Sequence, residues 1–170
     1  MYLKGGFCTH GETYYRDDEV LWWAKGGELH GESAKRIAFL KEIIYGLGEI
    51  QPIPSNFANN PNDLEKANNP EVISNPFELA FTKLDPVHFE LIRFQEDKYA
   101  ARHEDLYFIQ YMGKSCQSVL NMELPEEAEY SIDLVDIWEM TRRNIIPLAS
   151  GKTKVPLPGE EGTAVIATRI

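Results

Sequence analysis

The chain has 170 residues, of which 43% are hydrophobic and 26% charged, and its formal net charge is −10. This length suits one domain, or one small domain with an appended piece, and the acidic balance disfavours nucleic acid and anionic membranes as partners, which bind through clusters of Lys and Arg. No apolar stretch approaches the roughly 18 residues of a membrane span, and no secretory leader is recognisable, so we expect a cytoplasmic protein.

The start of the chain predicts one β/α unit. Residues 2–9 indicate a short buried strand, and residues 9–32 a long functional loop whose hydrophobic residues show no sustained period. A helix is predicted next, with Ser33 as its N-cap and Gly46 and Gly48 at its end. Its hydrophobic stripe consists of Ile37, Leu40, Ile44 and Leu47, broadened by Phe39 and Ile43. A single β/α unit cannot bury its own faces, so we expect it to pack on something else.

The loop carries a tetrad of His, Gly, Glu and a hydroxyl residue twice, at positions 10–13 and 30–33. Two adjacent tryptophans and a lysine lie between the copies. Buried charged groups need partners, so this mixture indicates a polar site with aromatic walls, such as a sugar site, rather than a core. The candidate substrate-binding residues are His10, Glu12, Trp22, Lys25, His30 and Glu32.

The remainder of the chain changes character twice. Residues 49–76 form a connector rich in Pro and Asn, and residues 77–103 are ambiguous between helix and strand. Beyond them, five short strands separated by turns indicate an antiparallel sandwich. These strands are predicted at 106–112, 118–124, 129–137, 152–157 and 163–170. We expect Trp138, which follows the third strand, in the core or between strands rather than at a surface carbohydrate contact.

Several segments resemble the C-terminal end of glycoside hydrolases of the (β/α)8-barrel type, in which the barrel precedes a β-sandwich known as DUF5605. These segments are 9–14, 21–33, 36–40, 107–111, 135–141 and 154–158. The resemblance implies that residues 2–9 and 33–46 are the last strand and helix of a TIM barrel. The loop between them would then lie at the C-terminal face, where barrel enzymes place their sites. It also implies that the two catalytic carboxylates lie on earlier barrel strands, outside this chain.

We therefore predict an α+β fold. Residues 1–48 form a β/α unit resembling the last unit of a TIM barrel, residues 49–76 a connector, and residues 77–170 an antiparallel β-sandwich. The predicted function is that of the C-terminal part of a carbohydrate-active protein, which forms a substrate-site wall without the catalytic pair and is inactive by itself. We expect no metal or other cofactor. The expected partners are carbohydrate and either the rest of a barrel domain or a second copy of the chain.

Three alternatives stay open. Glu12 and Glu32 could form the acid/base pair of an independent small hydrolase. His10 and His30, together with these glutamates, could bind a metal ion. The chain could also be a stand-alone interaction or carbohydrate-binding module, whose exposed apolar helix stripe would favour dimerisation.

Overall fold

The computed structural model describes residues 31–53, 99–114 and 116–170, with positions 3, 13–14, 22–23 and 76 in addition. Within this part of the chain there are one α-helix and ten β-strands, and every strand pairing is antiparallel. The helix is α1 (Ser33–Gly46). The strands are β1 (Thr13–Tyr14), β2 (Trp22–Trp23), β3 (Gln51–Pro52), β4 (Tyr99–His103), β5 (Tyr107–Tyr111), β6 (Val119–Glu123), β7 (Tyr130–Asp136), β8 (Thr141–Ala149), β9 (Lys152–Pro156) and β10 (Thr163–Arg169).

The strands that follow the helix form two sheets. One has six strands in the order β3-β4-β5-β10-β7-β8, and the other pairs β6 with β9. All five strands predicted beyond residue 104 are present, as β5, β6, β7, β9 and β10. The predicted antiparallel β-sandwich and the α+β class are therefore confirmed, whereas β4 and β8 add strands that the sequence did not indicate.

The main hydrophobic core lies between the two sheets. Its central buried side chains come from both, including Leu120, Met122 and Val155 from the small sheet and Tyr130 and Ile132 from the large one. The alternating pattern of β6 and β7 arises because successive strand residues point to opposite faces, and only one face meets this core.

Strand β10 is buried on both faces. Val165 and Ala167 join the core between the sheets, whereas Ala164 and Ile166 belong to a second cluster on the opposite face of the large sheet. This position explains why the strand is nearly continuously apolar rather than alternating. The second cluster is completed by the helix, so the large sheet is the middle layer of three.

Helix α1 covers that opposite face through its C-terminal half. Ile43 and Leu47 are buried there, and the His103 Nδ1–H donates to the Leu47 carbonyl over 2.8 Å. A Cβ on Gly48, whose φ is +73°, would lie 2.8 Å from that imidazole nitrogen, so glycine is needed for the close approach. The end of the helix is thereby fastened to β4.

The start of α1 differs from the prediction. Glu32 occupies the N-cap and Ser33 is the first helical residue, and no side chain caps the helix. The assignment of Ser33 as N-cap was therefore wrong by one position. Ile37 and Leu40, which belong to the predicted hydrophobic stripe, are 49% and 38% exposed, because the large sheet contacts the side of the helix that carries Ile43 and Leu47.

The N-terminal segments are described in part. Strands β1 and β2 pair with each other inside the predicted loop 9–32, with Thr13 opposite Trp23 and Tyr14 opposite Trp22. The strand predicted at 2–9 lies outside the described residues except for Leu3. Within the described ranges, no helix is long and apolar enough to cross a membrane.

Candidate functional site

Two of the six predicted substrate-binding residues fall within the described structure. Trp22 lies in β2, where its backbone pairs with Tyr14. Glu32 is the N-cap residue of α1. The other four, His10, Glu12, Lys25 and His30, lie outside the described residues. The proposed wall of the sugar site, the Glu12–Glu32 acid/base pair and the two-histidine metal site therefore all remain predictions.

Glu32 is an exposed carboxylate at the start of α1. Its Oε2 lies 3.0 Å from the Lys35 Nζ one turn along, and its carbonyl accepts the Arg36 backbone N–H at 3.0 Å. Both charged side chains are largely solvated, so this i,i+3 pair contributes at most a few tenths of a kcal/mol. The carboxylate is thus available to a ligand at little cost in stability.

The structure places a second group of polar and aromatic side chains near the same end of α1, at the turn between β7 and β8. Asp136 ends β7, and its Oδ1 accepts the backbone N–H groups of Trp138 and Glu139 at 2.8 and 3.0 Å. This side-chain-to-backbone bonding is characteristic of Asp at turns. The turn closes at Met140, which has a φ of +51°. The backbone beneath Trp138 is therefore fixed by local hydrogen bonds.

The Trp138 ring is held in place by two elements distant in sequence. One edge of the indole rests on Gly162, where a Cβ would lie 2.5 Å from Cδ1 and 2.6 Å from Nε1. The guanidinium of Arg36 lies over the ring, 4.8 Å from its centroid, and its Nε donates to the Trp138 carbonyl at 3.3 Å. Trp138 is nevertheless 47% exposed. The expectation that this tryptophan lies in the core or between strands was therefore wrong, since it is an exposed residue of the turn after β7.

An open cleft of about 410 Å³ lies beside this ring. We call it the Trp138 cleft, and its lining consists of Asp136, Trp138, Glu139, Glu160 and Glu161. The two glutamates at 160 and 161 come from the loop between β9 and β10, which the Ile137 N–H joins by donating to the Gly162 carbonyl at 3.1 Å. One aromatic surface and four carboxylates thus face a common space.

The cleft combines hydrogen-bond acceptors with an aromatic face. Its carboxylates accept hydrogen bonds from ligand donors, while the indole offers an apolar face. Throughout the described ranges, no three His, Cys, Asp or Glu side chains are grouped closely enough to hold a metal ion. The carboxylates are therefore spread around the cleft and do not converge on a cation.

The sequence alone did not single out this cleft. Glu160 and Glu161 occur in the segment Pro158-Gly159-Glu160-Glu161-Gly162, which reads as an ordinary solvated turn. A usable signal was the position of Trp138 two residues after Asp136, because Asp is a residue typical of turns. Its neighbours Arg36 and Gly162 carry no local signal at all.

Three comparisons place this geometry among known proteins. Residues 96–168 match the family model DUF5605, described as a domain of unknown function. The fold matches a crystal structure of a putative glycoside hydrolase from Bacteroides vulgatus ATCC 8482 with a TM-score of 0.61 and 19% sequence identity. That match covers 99% of this chain but 30% of the other, so the chain spans less than a third of that protein's length. No curated protein matches the chain.

The boundaries of the family match agree with the architecture. They enclose β4, β5, β6, β7, β8, β9 and almost all of β10, which together make up both faces of the main core. The low identity of the matched crystal structure limits that comparison to the fold. Residues 96–168 are thus similar to the DUF5605 family, and the chain shares its fold with part of a protein described as a putative glycoside hydrolase.

Proposed function

We propose that this chain is the C-terminal part of a carbohydrate-active protein of the glycoside hydrolase type. The observation that carries the proposal is the fold match, in which nearly the whole chain corresponds to 30% of a longer protein described as a putative glycoside hydrolase. In this proposal α1 is the last helix of a TIM barrel, and the loop before it lies at the barrel face where substrates bind.

The role proposed for the loop is that of a substrate-site wall. Its residues are His10, Glu12, Trp22, Lys25, His30 and Glu32, which orient sugar hydroxyls and stack on a ring, while the catalytic carboxylates belong to earlier barrel strands. The exposure of Glu32 and the small stabilisation from its Lys35 pair support this role, because a wall residue must be free to exchange water for ligand. The sandwich braces the barrel.

A hydrolysis assay separates this proposal from an independent small hydrolase. The purified chain is incubated with a panel of aryl glycosides, and we expect no turnover above the rate of a heat-denatured sample. Glycoside hydrolysis needs two carboxylates flanking the scissile bond. Turnover that disappears in Glu12→Gln or Glu32→Gln would contradict the assignment of catalysis to residues outside the chain.

A binding assay tests the wall itself. Isothermal titration with neutral oligosaccharides is carried out on wild type, on Glu32→Gln and on the matched control Glu42→Gln, which changes an exposed glutamate farther along the same helix. We expect Glu32→Gln to weaken binding about three- to tenfold, as for loss of a charge-assisted hydrogen bond, and Glu42→Gln to leave it unchanged. Equal effects of the two substitutions would refute a specific role for Glu32.

The exposed side of α1 favours a second candidate function, that of an interaction module. Ile37, Leu40 and Tyr45 are 49%, 38% and 70% exposed on one helix. The rest of a barrel would cover this side in the longer protein, whereas in the isolated chain a second copy would do so. Sedimentation equilibrium measures the association. A dimer that dissociates in Leu40→Glu supports this candidate, and a monomer at all concentrations excludes it.

A further inference from the structure

The Trp138 cleft lies outside the predicted wall and has no assigned role. Its one described link to the wall region is Arg36, which stands one helical turn after Glu32 and contacts Trp138. The described lining of the cleft comes from the sandwich. We propose that it is a second carbohydrate site, specific for neutral saccharides, in which Trp138 is the stacking platform; the choice of ligand class rests on the function proposed above.

The first argument is the preorganisation of the ring. Gly162 supports one indole edge, Arg36 covers one face, and Asp136 fixes the backbone of the turn. The exposed 47% of the residue is therefore provided by the remaining face and edges. An aromatic ring already locked in its binding position loses little conformational entropy when a sugar stacks on it.

The second argument is the number of hydrogen-bond acceptors around that ring. Asp136, Glu139, Glu160 and Glu161 line the cleft and bring four carboxylates to it. A saccharide presents many hydroxyl donors, and a hydroxyl donating to a carboxylate makes one of the stronger hydrogen bonds. A cleft of about 410 Å³ falls within the range usual for small-molecule sites.

The third argument concerns selectivity. Four carboxylates line the cleft and one described cation, Arg36, contacts its ring, so the described lining carries net negative charge. A uronate or sulfated sugar would place like charges within a few ångströms of these groups, and that repulsion is unfavourable even in water. Neutral saccharides carry no such cost. A divalent cation is disfavoured because the carboxylates do not converge.

The test is a titration of the ¹⁵N-labelled chain followed by NMR. The indole Nε1–H resonance of Trp138 is assigned by its absence in Trp138→Phe, and the probes are neutral oligosaccharides of glucose, mannose, galactose and xylose, with oligogalacturonate as the charged counterpart. We expect at least one neutral oligosaccharide to shift this resonance saturably and oligogalacturonate to bind at least about fivefold more weakly. No shift with any neutral oligosaccharide, or tighter binding of the uronate, overturns the proposal.

Two variants separate stacking from structural effects. We expect Trp138→Ala to lower the affinity for the neutral oligosaccharide at least about tenfold. The double substitution Glu160→Gln with Glu161→Gln removes two negative charges, so it should reduce the ratio of the affinity for the neutral oligosaccharide to that for oligogalacturonate. Tyr45→Ala is the matched control, because Tyr45 is also an exposed ring beneath a cation, with the Lys41 Nζ 5.3 Å from its centroid, but lies outside the cleft. An equal loss of affinity in Tyr45→Ala overturns the proposal.

Isothermal titration of the variants, which does not depend on the Trp138 resonance, distinguishes failure of this site from failure of the predicted wall. Binding weakened by Glu32→Gln but not by Trp138→Ala overturns the cleft proposal and leaves the wall standing. Binding weakened by Trp138→Ala but not by Glu32→Gln supports the cleft proposal and contradicts the role of Glu32 in a substrate-site wall. If none of the indole resonances responds to any oligosaccharide, the cleft and the wall fail together.

Discussion

Replacing Gly162 with Ala tests whether the glycine fixes the position of the Trp138 ring. The substitution has two costs. At a φ of +80°, a Cβ adds about 1–2 kcal/mol of backbone strain, offset by about 0.4–1 kcal/mol from the less flexible unfolded chain. The Cβ would also lie 2.5 Å from the Trp138 Cδ1, so the ring must move, and overpacking of this kind costs about 1–3 kcal/mol.

The chain supplies a matched control for the backbone part. Gly159 has the same φ of +80° in the same loop, but a Cβ there meets nothing within 4 Å. We therefore expect Gly159→Ala to lower the free energy of unfolding by about 1 kcal/mol and Gly162→Ala by about 2–4 kcal/mol. Urea denaturation followed by circular dichroism measures both. The melting temperature should fall by roughly 2–4 °C for each kcal/mol.

The double substitution Gly162→Ala with Trp138→Ala isolates the contact. Because the collision disappears with the ring, the cost of Gly162→Ala in this background should drop to that of Gly159→Ala. Equal destabilisation by the two glycine substitutions in the wild-type background would refute the packing of the indole on Gly162, and with it the fixed platform in the cleft.

Two further predictions concern the core and the docking of the helix. Tyr130→Phe removes a buried hydroxyl that donates to a backbone carbonyl at 3.1 Å, and should lower the free energy of unfolding by about 1 kcal/mol at neutral pH. Burial raises the pKa of Tyr130 above 10.0, so this hydroxyl ionises more readily in the unfolded chain, and the wild type loses stability as the pH rises above 10. Urea titrations between about pH 8 and 11 should therefore show that the free energy of unfolding declines less steeply with pH in Tyr130→Phe than in the wild type. Identical slopes would contradict this prediction. Leu47→Ala should lower the free energy of unfolding by about 2–5 kcal/mol, since Leu47 is 1% exposed. Leu40→Ala should lower it by less than about 1 kcal/mol, since Leu40 is 38% exposed. Equal destabilisation by the two substitutions in thermal denaturation would refute the docking of α1 through its C-terminal half.

The strands that the sequence predicted correctly are those with a buried face. Strand β7 alternates because one face meets the core, and β10 is apolar throughout because both faces are covered. Strand β8 was missed because it lies at the edge of the large sheet, with Arg142, Arg143 and Asn144 exposed in its first half. An edge strand needs no apolar alternation, and Pro147 is tolerated there because one side of the strand has no partner in the sheet.

Helix α1 also combines features that the sequence predicted with one that depends on tertiary packing. Periodicity predicted its extent and its apolar stripe, and α1 indeed runs over Ser33–Gly46. It could not tell which side of the stripe would be covered. The large sheet buries Ile43 and Leu47 and leaves Ile37 and Leu40 exposed, and that outcome depends on where β4 and His103 lie.

The sequence by itself determined the class of the fold and the strands of its core, since hydrophobic periodicity and turn residues are local properties that can be read along the chain. The resemblance to DUF5605 rested on residues 107–111, 135–141 and 154–158, which lie within the matched range 96–168. The tertiary structure decided where Trp138 lies. Its platform depends on Arg36, which is 102 residues away in sequence, and on the missing side chain of Gly162. Contacts over such separations depend on how the sheet and helix pack, so no local pattern encodes them.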